Sequence, residues 1–292
     1  MKAATSSLHD QLGAIDGVFM STPKEIYFFS DDPVYANGLD WYSKHFDNAR
    51  TSDICGESST HYTKLPTYPE TTSRIKQAIP NARFVYVMRH PIDRLVSQYT
   101  HMWLERETVA SFSDAVDGAV PELIDYSLYT TQLEPFFETF GAESVLPVFV
   151  DRMRSDPDGE LQRVAGHVGL NRPVRWNHEL GANNVSAERL QQSSTRDRLK
   201  EIPGYSSARK LVPNRAIERI RDRWRPSDKP ELTSSQLVSL TETFNVDLSK
   251  LGSWLGVDLS VETFCSVAAA EPYKWQPELL DQYPTKTDQT RS

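Results

Sequence analysis

Three short stretches of this chain carry side chains of the kind that handle phosphate groups and protons. The first is Lys2-Ala3-Ala4-Thr5-Ser6-Ser7-Leu8. A lysine, two small residues and three hydroxyls open a run in which Leu8, Leu12 and Ile15 recur on one helical face. Small side chains let backbone N–H groups approach an anion, and a helix N-terminus adds unpaired donors and partial positive charge. Lys2 contributes a point charge. The Gly-Lys-Ser/Thr sequence of a full phosphate-binding loop is absent, and a capped helix with a solvated lysine would use the same residues.

The second stretch is Arg89-His90-Pro91-Ile92-Asp93-Arg94-Leu95-Val96-Ser97. Arg89 follows a run rich in β-branched and aromatic residues, and Ser97 stands eight residues later, about two helical turns on. A guanidinium and a hydroxyl placed this way can converge on one phosphate, the guanidinium offering a bidentate fork. A surface arginine and a solvent-facing serine are the plainer alternative. The third stretch is Gly56-Glu57-Ser58-Ser59-Thr60-His61-Tyr62. Glu57 and His61 are candidate general bases, although a lone glutamate more often opens a turn.

The elements that must position these residues follow from periodicity. Helices are expected over 5–14, 39–46, 71–78, from Pro91 through Trp103, and over 127–140, 159–168 and 234–256. Strands are expected over 24–29, 52–59, 83–88 and 144–150. Alternation of this kind predicts an α/β fold with a central, mostly parallel sheet covered by helices on both faces. Each of the three stretches then lies at a strand end or a helix start, where ligands of open α/β sheets bind. Residues 1–270 are expected to form a single domain, with 271–292 as a polar, frayed tail. The mixed polar and basic run from Asn177 to Arg198, holding Asn183, Asn184, Ser186, Arg189 and Arg196, is a candidate closing loop or a solvated one.

Composition narrows the field. The 292 residues carry a formal net charge of −8, and the pI is about 5.4. An acidic chain is a poor coat for nucleic acid, which needs clustered Lys and Arg. No apolar run reaches membrane-spanning length, and no secretory signal opens the chain as given. Cys55 and Cys265 lie too far apart in sequence for metal-site spacing or a disulfide framework. The expectation is two buried or half-buried thiols, no metal, and a cytoplasmic location.

In order and placement the three stretches resemble the sulfotransferases that use 3′-phosphoadenosine 5′-phosphosulfate (PAPS), most closely their heparan-sulfate-type branch. Lys2 to Leu8 is similar to the loop that holds the 5′-phosphosulfate. Pro80 to Tyr99 is similar to the segment that holds the 3′-phosphate. Pro23 to Phe29, Gly38 to Tyr42, Gly56 to Ser59, Phe149 to Met153 and Phe244 to Asp247 extend the likeness along the chain. The resemblance implies a P-loop-like three-layer fold and sulfuryl transfer to a hydroxyl or amine, on a carbohydrate or small-molecule acceptor, releasing adenosine 3′,5′-bisphosphate. It also implies roles: Glu57 as the base, His61 in reserve, and Lys2 at the bridging oxygen of the leaving nucleotide. Ala3, Ala4, Thr5, Ser6 and Ser7 would sit around the phosphosulfate, and Arg89 and Ser97 at the 3′-phosphate. Two departures stand out. Ser58 occupies a position where the branch has lysine, and the apolar strand that precedes the family's lysine loop does not precede Lys2, so an interior strand of the sheet is expected to be missing. A nucleotide kinase and a non-catalytic nucleotide-binding protein are the competing readings.

Overall fold

In the computed structural model the described residues are 5–105, 107–180 and 230–285. Lys2, Ala3 and Ala4, and the run from Asn183 to Arg198, lie outside them. Helix α1 (Thr5–Gly13) leads into β1 (Val18–Met20), which pairs in parallel with β2 (Ile54–Gly56). Helix α2 (Thr71–Ala78) precedes β3 (Phe84–Met88), and Pro91 then opens α3 (Pro91–Leu104). Helix α4 (Tyr129–Phe140) precedes β4 (Val145–Phe149), which pairs in parallel with β3 from Phe84↔Val145 to Met88↔Phe149. Helices α5 (Pro157–His167), α6 (Ser234–Leu255), α7 (Phe264–Ala270) and α8 (Pro277–Gln282) complete the described chain.

Strand side chains alternate between two cores, as a period of two requires. Phe84, Tyr86 and Met88 of β3 and Val145 and Phe149 of β4 face a core with Tyr129, Leu133 and Phe137 of α4, Leu251 of α6 and Phe264 of α7. Val85, Val87, Leu146 and Val148 face the opposite core, with Leu8 and Leu12 of α1 and Leu161 and Val164 of α5. Burial on both faces explains why β3 reads as a continuous apolar run and gives the three layers expected of the α/β class. A third cluster packs Ile92, Leu95 and Tyr99 of α3 against Leu240 and Phe244 of α6.

The sheet is split. The β1–β2 and β3–β4 pairs do not hydrogen-bond to each other. Between them lies a cavity of about 770 Å³, lined by Val18, Met20 and Ile54 on one side and Val85 and Val87 on the other. This is the interior gap anticipated from the family's strand order, and no described strand occupies it.

Three local expectations are corrected. Residues 24–29 are not a strand. Tyr27 has φ 58°, and its carbonyl accepts from the backbone N–H groups of Ser30 and Asp31. Backbone donors that a neighbouring strand would have engaged go to side chains: Tyr27 N–H to Ser59 Oγ at 3.0 Å and Phe29 N–H to Tyr62 Oη at 3.3 Å. The apolar character of the run reflects burial of Ile26, Phe28 and Phe29 in the core. The segment from 271 is not frayed as far as it is described: Tyr273, Trp275 and Leu279 are buried, and Trp275 Nε1–H donates to Val145 O at 2.6 Å. Cys55 and Cys265 are exposed free thiols rather than buried ones.

Candidate active site

The hydroxyls predicted to open a helix do so, with Thr5, Ser6 and Ser7 forming the first turn of α1. Its buried face holds it against the sheet through Leu8 and Leu12. Polar contacts then fix what faces its N-terminus. His9 shares a 3.1 Å hydrogen bond with Ser58 Oγ at the end of β2. Burial, together with the nearby Lys24 ammonium, pulls the His9 pKa down. Where the branch carries lysine at position 58, this chain thus has a serine tied to a helix histidine.

A lysine arrives from another direction. Lys24 Nζ lies 3.5 Å from Thr5 Oγ1 and 2.6 Å from Glu25 Oε1. Glu25 Oε2 accepts from both Thr60 N–H at 2.8 Å and Thr60 Oγ1 at 3.0 Å. Burial acts to raise the Glu25 pKa, but the Lys24 ammonium and the Thr60 donors outweigh it and hold the carboxyl below its usual range. Lys24 and Glu25 are therefore an ionised pair at the mouth of α1. Sequence reading missed both because it absorbed them into a strand. The available signal was a charged dipeptide abutting Ile-Tyr-Phe-Phe, where a buried strand has no use for two charges.

Glu57 stands immediately beyond β2 and lines the interior cavity. Burial pushes its pKa up to about 7, against the pull of the Tyr62 hydroxyl and with a further push from Glu25. Its Oε2 is enclosed without a hydrogen-bond partner. Two nearby carboxyls thus have their pKa values driven apart, one ionised and one poised near neutrality, the arrangement that separates acid and base roles. His61 is stacked between Tyr27, with ring centroids 3.9 Å apart, and Tyr68, at 4.6 Å. Its Nδ1 is 2.8 Å from Asp31 Oδ2, and burial lowers its pKa despite that carboxylate.

Arg89 lies where β3 gives way to α3, as its position after the strand run predicts. Its backbone N–H and carbonyl both engage the Tyr129 hydroxyl, and its guanidinium reaches Asp93 at 3.5 Å. His90 caps α3 by accepting from Asp93 N–H, while its Nε2–H donates to Val261 O at 3.0 Å. This clamp fixes the turn that aims Arg89. Ser97 is half-buried, on the second turn of α3. The fold therefore gathers Thr5, Lys24, Glu25 and Ser58 at one place and sets Arg89 at the carboxyl end of β3.

Among the described residues no cluster of His, Cys, Asp and Glu is placed to hold a metal ion. No helix there is long and apolar enough to cross a membrane.

Comparison with known proteins agrees with the geometry. The mouse heparan sulfate glucosamine 3-O-sulfotransferase 3B1 is 32% identical over 165 residues, covering 53% of this chain and 40% of the mouse protein. The human heparan sulfate glucosamine 3-O-sulfotransferase 6 is 27% identical over 219 residues, covering 70% of this chain and 61% of that protein. The matched part is thus well under two thirds of these relatives' length. The crystal structure of a sulfotransferase from Alicyclobacillus acidocaldarius superposes with a TM-score of 0.61 over 88% of this chain and 94% of that one, at 19% identity, a likeness of fold. The model of the sulfotransferase family matches residues 11–173, more than half of the 292, and the chain belongs to that family.

Proposed function

We propose that the protein transfers a sulfuryl group from PAPS to a hydroxyl of a carbohydrate acceptor. The observation that carries this reading is the convergence at the α1 N-terminus, where Thr5 meets the ionised Lys24–Glu25 pair. The first-turn N–H groups and hydroxyls of α1 suit an anion in charge and in donor count. PAPS would supply the sulfuryl group and leave as adenosine 3′,5′-bisphosphate. Lys2, Ala3 and Ala4, with Thr5, Ser6 and Ser7, would surround its 5′-phosphosulfate, and Arg89 with Ser97 its 3′-phosphate. The chain supplies charge neutralisation and alignment, which do most of the work in transfers of this type.

The proton leaves the acceptor hydroxyl as its oxygen bonds to sulfur, while the bond from sulfur to the bridging oxygen breaks. Lys2 and Lys24 stabilise the charge that gathers there. Glu25 is the better-placed acceptor of the proton, being ionised and next to Thr5. A specific observation favours Glu57 instead, as the sequence alone did: a carboxyl whose pKa is about 7 is matched to proton transfer near neutral pH. His61 would act through Nε2, its other nitrogen being held by Asp31. The exposed thiols Cys55 and Cys265 fit a reducing compartment such as the cytoplasm.

Calorimetric titration with adenosine 3′,5′-bisphosphate, with ATP as control, tests the donor site. Binding of the bisphosphate in preference to ATP, without added Mg²⁺ and weakened in Arg89→Ala, is the expected result. Preference for ATP, or a strict Mg²⁺ requirement, would return the chain to the kinase class. Binding of neither nucleotide would return it to a non-catalytic role.

A further inference from the structure

The 3₁₀ turn Thr60–Thr63 that supplies Thr60 to Glu25 and carries His61 is followed directly by Lys64. Lys64 is 9% exposed. Its ammonium nitrogen has no carboxylate within ion-pair distance among the described residues. Its one contact is the face of the Tyr126 ring, 5.7 Å from the centroid. The neighbouring charge is of the same sign. Arg94 of α3 is 3% exposed, and its guanidinium donates to Ser127 Oγ at 2.8 Å with no carboxylate paired to it among the described residues. Burial pulls the Lys64 pKa down to about 8; Arg94 lowers it further, and the more distant Glu107, Glu25 and Asp31 oppose that only partly.

Two cations this deeply buried are costly unless a counter-charge joins them, and a ring face does not replace one. A lysine that buries its stem and leaves only its tip accessible can meet an anion arriving from solvent. The turn places that tip next to the residues around Glu25, on the side away from the α1 helix body. We propose that Lys64 recognises an oxyanion group, carboxylate or sulfate, on the acceptor saccharide, with Arg94 reinforcing the positive field from behind. This rests on the sulfotransferase reading for the presence of a saccharide. The ring stack of Tyr27, His61 and Tyr68 gives the same region a flat aromatic wall of the sort sugars pack against.

The test uses three disaccharides of one backbone, neutral, uronate-bearing and O-sulfated, titrated against the full chain and against Lys64→Met. The wild type is expected to bind one or both charged forms roughly 10- to 100-fold more tightly than the neutral form, the range for a charge-assisted hydrogen bond. Whichever of the two is preferred identifies the oxyanion. Lys64→Met is expected to bind all three like the neutral form, and Lys64→Arg to retain the discrimination. Equal binding of the three by the wild type, or discrimination that survives in Lys64→Met, overturns the proposal. The wild-type comparison stands even where a variant fails to fold. Adenosine 3′,5′-bisphosphate titrated alongside separates the two levels. Its binding unchanged beside absent discrimination sinks only the Lys64 assignment, whereas its failure to bind the wild type sinks the sulfotransferase reading and this inference with it.

Discussion

At the residue scale the chemistry turns on two carboxyls with opposite shifts. Glu25 is held ionised by Lys24 and Thr60, whereas burial leaves Glu57 half-protonated near pH 7. Glu25→Gln is expected to lower kcat by ~10²–10⁴, the usual worth of a general base, with bisphosphate binding nearly intact. If Glu57→Gln produces that loss and Glu25→Gln does not, the base is Glu57. Stability separates the two residues independently. A carboxyl whose folded pKa lies above its unfolded value stabilises the fold at low pH and loses that contribution as pH rises through the folded value. Glu57 should therefore cost the wild type up to about 3 kcal/mol between pH 4.5 and just above pH 7. Chemical denaturation across that window should give a flatter profile for Glu57→Gln. Glu25, shifted the other way, contributes stability above its unfolded pKa that is lost as pH falls through the lower folded one. Glu57 and His61 were visible in the sequence as ionisable residues near a strand end. Glu25 was not, because its partner Thr60 is 35 positions away and no local pattern encodes that meeting.

At the element scale the helices were legible wherever an apolar stripe recurred at helical spacing, as in α3, where Ile92, Leu95 and Tyr99 share one buried face. β3 was legible because burial on both faces demands an unbroken apolar run. β1 was missed, since three residues are too few to show a period. The run 24–29 was misread because apolar composition reports burial and not backbone direction. Its turn depends on hydroxyls from Ser59 and Tyr62, supplied by a distant segment. Capping shows the same dependence. Helix α4 has no side-chain cap of its own, and Asp247 of α6 serves instead, accepting from Tyr129 N–H at 2.7 Å and Thr130 N–H at 3.0 Å. Asp247→Ala leaves those buried donors unsatisfied and should cost about 1–3 kcal/mol, read as a lower denaturation midpoint at unchanged slope.

At the scale of the whole molecule, the two-pair sheet is joined through helices rather than by strand pairing across its centre. The C-terminal segment contributes to this. Trp275 packs on Phe137 and Trp254, with ring centroids 5.1 and 6.4 Å away, and bonds to β4. Trp275→Ala should therefore destabilise the protein by ~3–5 kcal/mol, as loss of a buried aromatic does, and thermal unfolding would register it as a several-degree fall in Tm. A change within a few tenths of a kcal/mol would mean that the segment is peripheral after all.

The sequence by itself determined the faces of the longer helices, the strand at 84–88, the helix start at Pro91 and the hydroxyl-rich opening of α1. Each of these is encoded by residues within a few turns of one another. From them, with the family resemblance, came the α/β class and the placing of Arg89, Ser97 and Glu57 at strand ends or helix starts. Only the tertiary structure decided that Lys24 and Glu25 face Thr5, that Ser58 is bound to His9, that the last helix belongs to the core, and that Lys64 is buried beside Arg94 without a counter-charge. These are meetings of segments far apart in the chain, and periodicity records which side of an element is buried but not what lies across from it.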